Sequence, residues 1–215
     1  MPYYHGSTKI GSLYVGSTKL AKLYKGSTLV YSSAAYPSGT VIASGTNGYT
    51  FEDTLPAGRY LLRLTGGGGA GYYVMQYSQY HYVTGGGGAN FEGIIRNPTR
   101  QTVKLYAGGD STDSYLNFSG TRMITCGRGW DGSAVIQQGV VYSYDPGAGG
   151  TLTISSNLTV VSTETSGNGE AGIHTTNVNA GFGGISGSTQ NWGRGEWCRD
   201  PYVRYGGAYL EYVGS

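Results

Sequence analysis

The chain has 215 residues, of which 40 are glycine and 21 are tyrosine, and only 12% are charged. A formal net charge of +2 without clustered Lys or Arg argues against nucleic acid as a partner. No apolar run is long enough for a membrane-spanning helix, so we expect no membrane insertion. The first residues lack a basic stretch followed by an apolar one, so we also expect no signal peptide.

A ten-residue repeat opens the chain, because Gly-Ser-Thr recurs from Gly6, Gly16 and Gly26 after short apolar and aromatic runs. Such a unit is typical of a strand followed by a turn. Three units make about 30 residues, too few to bury a core of their own. The segment is therefore either an edge hairpin of the main domain or an arm that assembles with other chains, and its strict register favours the arm. The assembly positions expected from the repeat are Tyr4, Ile10, Leu13, Tyr14, Leu20, Leu23, Tyr24 and Tyr31.

From residue 38 onward the pattern predicts short strands and almost no helix, because glycine interrupts every stretch of helical spacing. This composition predicts an all-β fold, a β-sandwich or jelly-roll-like glycine-rich domain over 38–215, preceded by a β-repeat arm over 1–37. Strands are expected at 40–44, 49–54, 60–64, 103–106, 115–119, 122–126, 135–144, 151–154, 158–163 and 208–213.

Two four-glycine runs, 66–69 and 85–88, flank an aromatic-rich hairpin at 72–82. Glycine predicts loops here that either bend sharply or let another backbone approach closely. Two runs are too few for a stack of many parallel polyglycine helices, so none is expected. The Gly/Asn/Ser-rich stretch 167–195 is expected to be a long loop.

Little in the sequence indicates catalysis, and we expect no enzyme, cofactor or metal. The run 66–71 matches the G-x-G-x-x-G spacing of a dinucleotide loop, but no helix is predicted after it to face a pyrophosphate. The three histidines lack metal-ligand spacing. A glycosidase requires two carboxylates about 5 to 10 Å apart in space. Asp110 and Asp113 are candidates only because they are acidic and close in sequence, and Asp/Ser/Thr runs are more typical of turns.

Aromatic side chains in the loops are the candidate binding groups, because Tyr and Trp combine a large rigid face with a polar handle that suits sugars or protein. Core packing or subunit contact is the alternative for each of them. The candidate receptor-binding residues are Tyr72, Tyr73, Tyr77, Tyr80, Tyr82, Trp130, Trp192, Arg194 and Trp197.

Three stretches carry a resemblance to a known family: 49–70, with its Leu-Pro-Ala-Gly-Arg-Tyr entry running into four glycines, then 103–109 and 206–213. Together they resemble the glycine-rich domain found in many phage tail and virion proteins. The resemblance implies a non-enzymatic virion component, such as a fibre, a tip or a capsid decoration. It also implies assembly in the host cytoplasm, where Cys126 and Cys198 would stay free thiols even if the fold brought them together.

On this interpretation the arm attaches to other virion proteins, the chain forms a homotrimer on the precedent of fibres, and the glycine-rich domain is presented for a host-surface glycan. Two alternatives remain open. A stand-alone carbohydrate-binding module would be a monomer with measurable sugar affinity, and a depolymerase subunit would lower the viscosity of a polymer.

Overall fold

The computed structural model describes residues 36–176, 192–193 and 205–215, together with the backbone of six strands within the first 35 residues. The fold is all-β, as predicted, with no helix in the described part of the chain. Accordingly, none of the described residues forms a helix long and apolar enough to cross a bilayer. The arm strands are β1 (Tyr3–His5), β2 (Thr8–Ile10), β3 (Tyr14–Val15), β4 (Thr18–Lys19), β5 (Lys22–Lys25) and β6 (Thr28–Ser32).

The remaining strands follow in chain order and build two large sheets, two small ones and the connections between them. They are β7 (Thr40–Thr46), β8 (Thr50–Leu55), β9 (Gly58–Thr65), β10 (Tyr72–Gln76), β11 (Gln79–Val83), β12 (Asn90–Asn97), β13 (Gln101–Tyr106), β14 (Ser114–Phe118), β15 (Thr121–Cys126), β16 (Ser133–Gln137), β17 (Val140–Asp145), β18 (Leu152–Ile154), β19 (Thr159–Gly167), β20 (His174–Thr175) and β21 (Gly207–Gly214).

The arm consists of three successive hairpins in the same register. The pairs β1–β2, β3–β4 and β5–β6 are separate two-stranded sheets, and their closing pairs are His5–Thr8, Val15–Thr18 and Lys25–Thr28. The Thr of each Gly-Ser-Thr triplet therefore begins the second strand, whereas the sequence interpretation placed it in the turn. The predicted assembly residues Tyr4, Ile10, Tyr14, Leu23, Tyr24 and Tyr31 lie on these strands, and Leu13 and Leu20 lie outside the described residues.

Two five-stranded antiparallel sheets form a β-sandwich, which confirms the predicted fold class. One has the order β19-β12-β9-β21-β7 and the other β18-β15-β14-β13-β8. Alternate residues point inward, as the period of a strand requires: Tyr60, Leu62 and Leu64 of β9 are buried against Leu105 and Leu116 of the facing sheet. The jelly-roll connectivity stays a prediction.

One strand prediction was wrong, and one central strand was missed. The stretch 135–144 was expected to be one strand but forms the hairpin β16–β17, whose turn residues Gln138 and Gly139 both have positive φ, the signature of a type I′ turn. The central strand β12 was not predicted; most of its residues are buried, but Ile94 is half-buried and Arg96 is exposed.

The glycine-rich segments are not loops but a hydrogen-bonded bundle. Five extended segments, 66–71, 84–89, 127–132, 146–151 and 168–173, bond to each other through the backbone. We call them the glycine bundle. The expectation that glycine runs are too few for such a stack was wrong, and the expectation of close backbone approach was right.

The bundle has a three-residue period. In segment 84–89 the amides of Gly86 and Ala89 both donate to segment 127–132, whereas those of Thr84 and Gly87 both donate to segment 168–173. Segment 127–132 repeats the pattern towards two other neighbours. Three residues per turn without internal hydrogen bonds is the geometry of a polyproline II helix, so each segment is a short helix of this type whose bonds go to its neighbours.

Packing explains where glycine is needed. A Cβ at Gly86 would collide with the carbonyl of Ala148, and one at Gly88 with that of Gly66. Segment 84–89 has bundle neighbours on all sides and is therefore almost all glycine, whereas segment 127–132 carries Arg128 and Trp130 at positions that face outward. Segments 127–132 and 146–151 have three glycines among six residues and segment 168–173 has two, so these segments contain no four-glycine run.

Candidate functional site

One end of the glycine bundle carries each described strand that lies outside the sandwich and the arm. Segments 66–71 and 127–132 run parallel, since Gly129 and Gly132 donate to Gly67 and Ala70. They lead directly into β10 and β16, while segment 168–173 leads into β20 at the same end through the bond between Thr84 and Ile173. At the other end the segments continue into sandwich strands. We call the end made of β10–β11, β16–β17 and β20 the tip.

The predicted aromatic hairpin is confirmed as β10–β11, and it forms one side of the tip. Met75 pairs with Tyr80 and Tyr73 with Tyr82 across the two strands. The Tyr73 and Met75 side chains are 57% and 62% exposed, and the Tyr73 and Tyr80 rings lie 6.3 Å apart. Tyr77, in a turn whose two central residues have positive φ, is 85% exposed. One face of this hairpin is therefore an aromatic and thioether surface turned to solvent.

The second hairpin, β16–β17, adds a neighbouring exposed surface that the sequence interpretation missed. Tyr142 is 67% exposed, and Val135, Ile136 and Val140 are exposed as well. The two hairpin sequences, 72–83 and 133–145, contain a single carboxylate, Asp145, and no Lys or Arg. The tip is thus large, apolar and nearly uncharged, which suits neutral ligands and not ones that need charge pairing.

Three rings at the centre of the tip tie its elements together. His81 of β11 and His174 of β20 meet through their ring nitrogens at 3.1 Å. Tyr144 of β17 stacks on His174 with a centroid distance of 3.9 Å, and its hydroxyl donates to Oε1 of Gln76 at 2.8 Å. No metal-ligand spacing in the sequence relates the two histidines, so only the fold could reveal this cluster.

Trp130 lies on the side of the bundle, next to the tip. Its indole is 55% exposed, and the Arg128 guanidinium sits 4.4 Å from the ring centroid. Arg128 is held by two bonds, from its amide to Oδ1 of Asp113 at 2.8 Å and from Nη1 to the Ser111 carbonyl at 2.9 Å. The Trp130 amide and carbonyl are both bonded within the bundle. The result is a rigid aromatic platform backed by a fixed cation.

The acidic residues of this region have structural partners. Oδ1 of Asp131 accepts from the Ala70 amide at 2.7 Å and from the Ser111 hydroxyl at 2.9 Å, and Asp113 caps the Arg128 amide. Within the described residues, no group of three or more His, Cys, Asp or Glu side chains could hold a metal ion.

The remaining predicted site residues divide between the tip and other places. Tyr72 and Tyr82 lie in the tip hairpin with Tyr73, Tyr77 and Tyr80. Trp192 is half-buried and is positioned away from the tip, where its indole occupies the space that a Cβ of Gly207 would need. Arg194 and Trp197 lie outside the described residues, as does Cys198, whose pairing with Cys126 therefore stays untested.

No family model matches this chain, and no curated protein matches it.

Proposed function

We propose that the chain is a non-enzymatic phage virion protein, a fibre, tip or capsid decoration, that attaches through its N-terminal repeat and binds a host-surface glycan at the tip. The observation that carries this proposal is the placement of exposed aromatic hairpins at the far end of a rigid glycine bundle. In a purely structural domain, we would expect polar loops at this end of the bundle instead. Exposed apolar surface of this kind is typical of a binding site.

The bundle supports the proposal mechanically. Its segments are joined by backbone hydrogen bonds of 2.7 to 3.1 Å, so the hairpins project from a support with little freedom to rearrange. A preorganised surface loses less conformational entropy on binding than a flexible loop does. This scaffold therefore suits a protein that presents a recognition surface at a distance from its attachment point.

The chemistry of the tip supports a neutral sugar as the ligand. Tyrosine faces stack on the apolar side of a pyranose ring, and Gln79 and Gln137 supply amide donors and acceptors on the two hairpins. The near absence of charge disfavours strongly anionic polymers.

An array of bacterial surface polysaccharides tests the binding. The variant Tyr73→Ser/Tyr80→Ser should lose at least about tenfold in affinity, since removal of aromatic contacts at a binding site commonly costs ~2 kcal/mol or more. Tyr115→Ser is the matched control, because Tyr115 lies in the sandwich, stacked on Tyr106. Equal affinity of the tip variant and the control would refute a tip-centred site.

The arm supports the attachment role. Each of its hairpins pairs only within itself in the described backbone, and an isolated two-stranded hairpin is at best marginally stable in water. Contact with other chains would stabilise it. The proposal includes a homotrimer, which light scattering tests: the mass should be three times 22.6 kDa, and deletion of residues 1–31 should leave a folded monomer. A full-length monomer with sugar affinity would instead favour a stand-alone carbohydrate-binding module.

A further inference from the structure

Two imidazoles from distant parts of the chain share a hydrogen bond at the tip. Nδ1 of His81 and Nε2 of His174 are 3.1 Å apart, the ring planes differ by 13°, and the centroids are 5.4 Å apart. The centroid separation exceeds the nitrogen separation by about the sum of two ring radii. The rings therefore lie edge to edge in nearly one plane, so that an N–H of one points at the lone pair of the other.

Tyr144 covers this pair and extends the connection to a third element. Its ring is nearly parallel to both imidazoles, 3.9 Å from the centroid of His174 and 4.8 Å from that of His81. Its hydroxyl reaches back to Gln76 of β10. Strand β20 already pairs with β11 through the backbone, Tyr82 with Thr175 and Val83 with His174. The cluster therefore adds a side-chain link between these two strands and joins their sheet to β17.

The proton count of the pair decides whether this link holds. With both imidazoles neutral, one donates and the other accepts. One added proton leaves a donor and an acceptor still facing each other, so the bond is kept. A second proton places two N–H groups and two positive charges against each other, so the bond is replaced by repulsion.

The surroundings do not offset that repulsion. Tyr144 of β17 stacks on both imidazoles and donates its hydroxyl proton to Gln76 of β10, and Val74 pairs with His81 across the hairpin. Asp145, the one carboxylate of the two hairpins, accepts from the Ser143 hydroxyl. Among the described residues, no carboxylate is bonded to either imidazole.

The titration of His174 agrees with this geometry. Partial burial, and next the neighbouring His81, lower the pKa of His174 below its ordinary value. A lowered pKa in the folded state means that the unfolded or opened state binds the proton more readily. The stabilisation is therefore fully present above about pH 6.5, the ordinary pKa of histidine, and is lost as the pH falls below it.

We propose that His81 and His174 form a proton-sensitive latch, which holds β10–β11, β16–β17 and β20 in one arrangement at neutral pH and releases them in acid. As a regulator of ligand binding the latch rests on the proposed function, because those elements are the proposed binding surface. Ligand binding is then strongest at neutral pH and weakens below about pH 6.

Hydrogen exchange of the full-length protein tests the latch without any ligand. The variant is His174→Phe, which keeps a planar ring beside Tyr144 but has no ring nitrogen. Wild type and variant are compared with each other at pH 7.5 and again at pH 5.0, so that the pH dependence of the intrinsic exchange rate cancels in each ratio. At pH 7.5 the tip segments 133–145 and 174–176 should exchange about fivefold faster in the variant, the factor expected for one hydrogen bond. At pH 5.0 the ratio should approach one.

A ratio that is the same at both pH values would overturn the latch. His81→Phe is the second variant, and it must reproduce the pattern because either substitution removes the same bond; a different pattern from it would also overturn the proposal. Exchange of β9, in the sandwich, must match the wild type in both variants and shows that they fold.

The polysaccharide array, read at both pH values, separates the two proposals. Weaker wild-type binding at pH 5.0 than at pH 7.5, with no such difference in His174→Phe, supports the latch as a regulator. Opening of the tip in acid without binding of any polysaccharide at either pH would refute the proposed function and leave the latch itself standing.

Discussion

Gly86, at the centre of the glycine bundle, is the position where one methyl group should do most damage. A Cβ there would overlap the Ala148 carbonyl, and its segment has neighbours on all sides. The methyl can be accommodated only if segments move apart. Three bonds are then at risk: Gly86 to Trp130 at 2.9 Å, Gly69 to Gly86 at 2.9 Å and Trp130 to Ala148 at 2.8 Å.

The cost of Gly86→Ala follows from these bonds. At ~1 kcal/mol net for each hydrogen bond, the loss is about 3 kcal/mol in the free energy of unfolding. For a chain of this size that lowers Tm by about 6–12 °C. Urea unfolding and differential scanning calorimetry of the variant and the wild type measure both quantities.

Substitutions at two other glycines distinguish the effect of steric overlap on stability from the effect of backbone conformation. Gly167 has neither a close neighbour nor positive φ, so Gly167→Ala should be neutral or stabilising by up to ~1 kcal/mol. Gly139 has open space around it but a φ of +80°, so Gly139→Ala should cost ~1–2 kcal/mol from backbone strain alone. A free energy of unfolding for Gly86→Ala no lower than that for Gly167→Ala would refute the bundle as a close-packed element.

Three further predictions concern the sandwich core. Burial is the main cause that raises the pKa of Tyr60, so the folded state resists ionisation of this side chain. The free energy of unfolding should therefore fall as the pH rises above about 10. Tyr60→Phe should reduce that fall, which urea midpoints measured across this pH range would show. Cys126 is buried, burial raises the pKa of its thiol, and the thiol donates to the Leu64 carbonyl at 3.3 Å. In a Cys198→Ser variant, a thiol reagent should therefore modify Cys126 only after denaturant is added. Rapid labelling of the native protein would contradict this prediction. Leu105 is fully buried, so Leu105→Ala should lower the free energy of unfolding by about 2–5 kcal/mol, and a loss below ~1 kcal/mol in urea titration would mean that the two sheets do not pack as described.

The local pattern of the sequence predicted most of the sandwich. Strands β9, β13 and β21 alternate apolar and polar residues because each has one face in the core, and period two is visible without knowing what a strand packs against. The aromatic hairpin β10–β11 was predicted from its flanking glycine runs. Strand β12 was not, because Gly93 and the adjacent apolar pair Ile94 and Ile95 interrupt the alternation on which such a prediction depends.

The tertiary structure decided the glycine bundle and everything it carries. The sequence showed two glycine runs, but segments 127–132, 146–151 and 168–173 hold glycine only where they face a neighbour, and which positions face a neighbour is known only after packing. The pairing of His81 with His174 has the same origin, since 93 positions separate them in the chain. The local pattern of a segment shows which of its residues face water and which face the core. It does not show which distant segment of the chain its backbone will contact.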